Sequence, residues 1–120
     1  MEGNCLVEND TKIKSGFGTS TISANILTIG QSAFSNITNL ERITIPEGIT
    51  TIETNAFYNC TGLAEINYNA ITVTDLTSNN YVFHYVGNNA ESVSVTIGVS
   101  VEKVPAYIFN PYNSNSKNHN

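Results

Sequence analysis

The sequence predicts a β-rich α/β repeat fold. Short coils stack so that one strand from each joins a parallel sheet, and a single helical turn per coil drops an aromatic side chain into the core. Three observations lead there. Residues 21–43 laid over residues 44–66 give eleven identities in 23 ungapped positions, where about two would arise by chance. Each unit carries two short apolar patches separated by turn residues. One such unit cannot bury its own apolar face, whereas stacked copies can.

Residues 1–20 precede the first clear coil, and Gly16-Phe17-Gly18 within them reads as a flexible connector. The first coil, 21–43, and the second, 44–66, share Thr21/Thr44, Ile22/Ile45, Ile26/Ile49, Thr28/Thr51, Ile29/Ile52, Ala33/Ala56, Phe34/Phe57, Asn36/Asn59, Thr38/Thr61, Leu40/Leu63 and Ile43/Ile66. Leu40-x-x-Ile43-x-Ile45 and Leu63-x-x-Ile66-x-Tyr68 put alternate apolar side chains on one face of a short strand. Pro46 ends the first of these. After the Glu47-Gly48 turn signal comes a second patch, Ile49-x-x-Ile52. Asn55–Cys60 is too short for a full helix and reads as one α or 3₁₀ turn carrying Phe57 inward. The third coil, 67–92, is irregular. Phe34, Phe57, Phe83 and Phe109 fall at steps of 23, 26 and 26, and the added residues lie in the Thr- and Asn-rich stretch Asn69–Asn80, expected to be an enlarged loop. The fourth coil, 93–112, repeats the second through Thr96-Ile97, Val101, Val104 and Phe109 and is then cut short. Either Pro111-Tyr112 folds back as a cap, or the chain is a fragment. Residues 113–120 are polar throughout and read as a disordered tail.

Charged residues make up 12% of the chain, about half the usual share. Asn (18), Thr (14) and Ser (11) keep the surface wet instead. Five Lys and Arg against ten Asp and Glu, net −5, give no basic footprint for nucleic acid. A hydrophobic share of 40% separates the chain from acidic disordered sequences. No apolar run is long enough to insert into a membrane, and Met1-Glu2-Gly3-Asn4-Cys5 lacks the basic-then-apolar pattern of a secretory signal. Cys5 and Cys60 form no CxxC pair and read as two separate reduced thiols, with Cys60 buried.

No catalytic, cofactor or metal site emerges. His84 and His119 are the two histidines, and a triad on His84 would need a positioned Ser or Cys and an acid. Glu41, Glu47, Glu53, Glu65, Asp75, Glu91 and Glu102 are dispersed and read as solvated surface groups. GxxxxGK[ST], GxGxxG and calcium-binding Gly-Asp runs are absent from the sequence. Of the Asn-x-Ser/Thr triplets at Asn9, Asn36 and Asn59, the last two occupy equivalent repeat positions. They are expected to cap the turn and satisfy nearby backbone rather than carry a glycan.

The string Ile45-Pro46-x-x-Ile49-x-x-Ile52-x-x-x-Ala56-Phe57-x-x-Cys60-x-x-Leu63-x-x-Ile66 resembles the BspA-like leucine-rich repeat. The likeness is close over 21–66, recognisable over 93–109 and loose between. Ser23 and Gly98 stand where the repeat has Pro, and Ile37 where it has Cys. The resemblance implies a right-handed leucine-rich-repeat solenoid over 21–112 with a short parallel sheet on its concave face, and an N-terminal capping segment over 1–20. It also implies a non-catalytic protein-interaction or adhesion module, at the cell surface or secreted as part of a longer parent. The implied partner is a host matrix or microbial surface protein.

If Ile43, Ile45, Ile66, Tyr68, Val95 and Ile97 point inward, alternation sends Arg42, Thr44, Glu65, Asn67, Ser94 and Thr96 to the opposite face. That candidate binding face is polar and nearly neutral. Four strands at about 4.8 Å spacing present roughly 200–400 Å², against about 800 Å² per partner in a stable interface. A monomer should therefore bind weakly, and tight binding needs a longer array or several copies. The alternative is a structural spacer or capping fragment with no ligand of its own.

Overall fold

Lys12–Ser15, Thr28–Ile29, Arg42–Ile45, Thr51–Ile52 and Glu65–Tyr68 form strands where two to four residues alternate between a buried apolar and an outward, more polar side chain. The computed structural model describes residues 6–9, 11–18, 21–77, 80–88, 90, 92–105 and 108. Its seven strands are β1 (Leu6–Glu8), β2 (Lys12–Ser15), β3 (Thr28–Ile29), β4 (Arg42–Ile45), β5 (Thr51–Ile52), β6 (Glu65–Tyr68) and β7 (Ser94–Ile97). They form two sheets, in the orders β1-β2-β3-β5 and β4-β6-β7. All pairings are parallel except β1 with β2. The duplicated sequence sets the register: Thr28 faces Thr51, Ile29 faces Ile52, and Ile43 faces Ile66. The ladder also reaches back before residue 21, because Lys12 and Ile13 pair with Thr28 and Ile29.

Between the sheets lies one core, running from Ile13 to Ile108. Its centre is a column of aromatic rings. Phe34 stacks on Phe57 with centroids 4.9 Å apart, and Phe57 on Phe83 at 5.0 Å, with planes within 15° and 9° of parallel. Phe109, the expected fourth member, lies outside the described residues, as do Cys5, His119, Pro111-Tyr112 and the 113–120 segment.

The expected helical turns are not there, so the α/β label does not hold. Among the described residues there is no α or 3₁₀ helix, and 31–36, 54–59 and 82–88 are turns. The backbone hydrogen bonds explain why. In the second unit Ala56, Tyr58 and Cys60 donate back to Glu53, Asn55 and Phe57 within the turn. The intervening Asn55, Phe57 and Asn59 donate outward to Asn80, Val82 and His84 of the next unit. The first unit does the same, with Ser32, Phe34 and Asn36 bonded to Thr54, Ala56 and Tyr58. Alternate N–H groups are thus claimed by the neighbouring unit, which no continuous helix allows. Left-handed residues recur in step, at Ser32, Asn36, Asn55, Asn59, Tyr81 and Tyr85, with φ between 50° and 64°.

The repeated asparagines have a different role from the expected backbone cap. Asn36 and Asn59 hold left-handed φ of 64° and 63°, a region Asn tolerates better than most residues. Their side chains bond to each other, Asn59 Nδ2 donating to Asn36 Oδ1 at 2.9 Å. Gly62 allows a close approach of successive units, since a Cβ there would sit 2.4 Å from the Thr38 carbonyl oxygen.

The described part of the 69–80 stretch contains no strand, and backbone bonds hold it to its neighbours. Ile71 and Thr74 donate to the Glu47 and Thr50 carbonyls of the second unit, Ala70 and Val73 are buried, and Thr72 bridges Lys103. At the far end of the second sheet one inward expectation fails. Ile43, Ile45, Ile66 and Tyr68 are buried, but Ile97 is 42% exposed and Val95 only half-buried. They sit on β7, the edge strand of the three-stranded sheet.

Candidate functional site

Strand alternation on β4, β6 and β7 brings the six candidate residues into two parallel rows. Arg42, Glu65 and Ser94 are register partners in one row, and Thr44, Asn67 and Thr96 in the other. Arg42, Thr44, Ser94 and Thr96 are exposed, while Glu65 and Asn67, on the central strand, are half-buried. Asn67 Nδ2 joins the rows by donating to Glu65 Oε2 at 3.0 Å and to Thr44 Oγ1 at 3.4 Å. Arg42 Nε lies 3.7 Å from Glu65 Oε1, a solvated ion pair that adds little to stability. A shallow depression of about 420 Å³ opens beside these residues, lined also by Glu41, Gly62 and Ala64. Such a surface offers hydrogen bonds and one compensated charge pair to a polar partner.

The His84 imidazole and the Cys60 thiol lie in different surroundings. His84 packs among aromatic rings, with Tyr58 stacked at 5.6 Å, Tyr81 at 5.1 Å and Tyr85 edge-on at 4.0 Å. Cys60 is fully buried, and its thiol donates to the Phe34 carbonyl at 3.0 Å. Burial pushes this thiol up to about 12, partly offset by a bond from the Ile37 backbone, so the nucleophilic thiolate is disfavoured. Among the described residues no three His, Cys, Asp or Glu side chains cluster as a metal site requires. Among the same residues no helix is long and apolar enough to cross a membrane.

Two surfaces were not anticipated from the sequence. One is the outer face of β5 and its continuation, where Gln31, Glu53, Thr54, Thr74, Asp75 and Asn80 border a depression of about 370 Å³. Two solvated ion pairs border it, Lys12 of β2 with Glu53 at 3.3 Å and Lys103 with Asp75 at 2.9 Å. The repeated pair Thr28/Thr51 was the signal for this second sheet. The other is the aromatic cluster around His84, signalled only by Tyr81 and Tyr85 standing where earlier units carry Asn55 and Asn59.

No curated protein and no solved structure matches the chain. The family model of the BspA type leucine rich repeat region (6 copies) matches residues 11–118. It starts where the parallel ladder starts, at the turn before β2. The 23-residue register, the parallel β-rich architecture and this match agree: the chain belongs to the BspA-type leucine-rich repeat family.

Proposed function

We propose that the chain is a non-catalytic protein-interaction module, a segment of a right-handed solenoid belonging to a cell-surface or secreted adhesin. BspA-type repeats are generally non-catalytic interaction units of surface or secreted proteins. In this reading the sheet β4-β6-β7 is the concave face, and Arg42, Thr44, Glu65, Asn67, Ser94 and Thr96 contact a host matrix or microbial surface protein. The observation that carries it is the pair of register-matched polar rows across three neighbouring strands, exposed on the outer two and half-buried on the central one, with Arg42 and Glu65 paired.

Three short strands offer a contact far below the roughly 800 Å² per partner of a stable interface, so a single copy binds weakly and avidity supplies the rest. The test is to display the chain multivalently on beads and measure retention of extracellular-matrix and bacterial surface proteins. Retention should fall for the doubly reversed variant Arg42→Glu with Glu65→Arg combined with Asn67→Ala. A chain serving only as a spacer would bind nothing multivalently and would be indifferent to these changes.

A further inference from the structure

The turn face of the stack carries a second, chemically distinct surface. The backbone bonds that link successive turns align Ser32, Asn55 and Tyr81 in one column, Ser35, Tyr58 and His84 in the next, and Asn36, Asn59 and Tyr85 in a third. The first unit is polar in all three columns. The third unit is aromatic in all three, and with Tyr58 of the second it forms one ring cluster. Tyr58 stacks on His84 at 5.6 Å and 18°, meets Tyr85 edge-on at 5.8 Å, and Tyr81 and Tyr85 flank His84 at 5.1 and 4.0 Å. The cluster is not core. Tyr85 is 37% exposed, and Tyr58, Tyr81 and His84 are half-buried, whereas the Phe column behind them is fully buried.

Holding tyrosine at these positions works against the backbone. Tyr81 and Tyr85 have φ of 50° and 63°, a left-handed conformation that costs a bulky side chain more than it costs Asn. Asn55 and Asn59 occupy the same columns at φ of 61° and 63°, so the fold has a less strained residue for each site. Strain of this kind marks positions where the side chain is kept for something other than folding.

The surrounding chemistry narrows the ligand. Residues 31–40, 54–64 and 76–90 include no Lys, Arg, Asp or Glu. The face therefore combines ring faces, phenol and imidazole groups and the Asn36–Asn59 amide pair. Phosphate, sulfate and carboxylate ligands have no lysine or arginine counter-ion there. A pyranose does fit: the C–H bonds on one of its faces meet the negative face of an aromatic ring, and its hydroxyls meet phenol, imidazole and amide groups. Rings already packed on one another lose little freedom when a ligand settles on them.

We propose that Tyr58, Tyr81, His84 and Tyr85 form a binding platform for a neutral oligosaccharide, on a face separate from the strand rows. The experiment titrates the ¹⁵N-labelled full chain with chitohexaose and cellohexaose, and with 3′-sialyllactose as the charged control. At least one neutral hexasaccharide should shift the amide signals of residues 58–59 and 81–88, with sialyllactose inactive. The double variant Tyr81→Asn, Tyr85→Asn places in the third unit the residues the second already tolerates. It should melt at or above the parent temperature while weakening the neutral sugar about tenfold or more. His84→Ser, which copies Ser35, is an independent variant expected to weaken binding in the same sense. The proposal is overturned if neither hexasaccharide moves these signals, if sialyllactose moves them equally, or if binding survives in both variants undiminished.

Discussion

Phe57 sits between Phe34 and Phe83 with both its faces covered at 4.9 and 5.0 Å, so truncating it removes two stacking partners and opens a cavity at mid-stack. Phe57→Ala should cost about 3–5 kcal/mol in urea unfolding, as large buried aromatics do. A midpoint equal to the parent's would contradict a shared ring column. Asn59 makes a different argument, because its left-handed φ and its bond to Asn36 act together. Asn59→Gly loses the amide bond and keeps the backbone relaxed, whereas Asn59→Ala loses both. The alanine variant should be the less stable of the two by about 1 kcal/mol, and equal stabilities would mean that φ carries none of the preference. The ring column could be read from the sequence because Phe34 and Phe57 recur with their flanking Ala. The asparagine role could not. A sidechain-to-backbone cap and a left-handed position call for the same residue type, and only the dihedral separates them.

At the scale of strands and turns, legibility followed the duplication. β4 and β6 were written in the sequence as the same apolar alternation twice, and their register followed from it. The turns were misread as helical because residue spacing does not reveal where alternate N–H groups bond, and here they bond to the next unit. The His84 cluster was missed for a related reason: the Phe57–Phe83 step sets Tyr85 level with Asn59, but spacing does not reveal that its ring turns toward Tyr58. These elements also set a pH limit. Burial raises the Cys60 thiol, at the end of the second turn, from 9.0 to about 12 and the Tyr68 phenol, on β6, from 10.0 to about 12. Both groups are raised, so the unfolded chain loses these protons first. Their contribution to stability is complete below about pH 9 and declines as pH climbs toward 12. Urea midpoints followed across that range should fall, and in Cys60→Ala the remaining decline should begin nearer pH 10, where Tyr68 starts to act. A midpoint that stays level to pH 12 would mean neither group is held neutral by the fold.

Across the whole molecule the units share one apolar core and have none of their own. Ion pairs do little to bind them, since the three described pairs are all solvent-exposed to a third or more on at least one partner. Cohesion therefore rests on nearest-neighbour packing and on backbone ladders between units, the arrangement in which stability spreads along a stack. A lesion at the centre should then be felt at both ends, because Ile13 on β2 and Val95 on β7 belong to or pack against the same core as Phe57. Native-state hydrogen exchange tests this directly. In Phe57→Ala the amides of β2–β3 and of β6–β7 should lose protection together and by comparable factors, since their opening is the opening of one structure. Were β2–β3 to keep parental protection while β6–β7 lost it, the stack would be two independent halves joined at the second unit, and the single core would be a contact between them rather than the source of their stability.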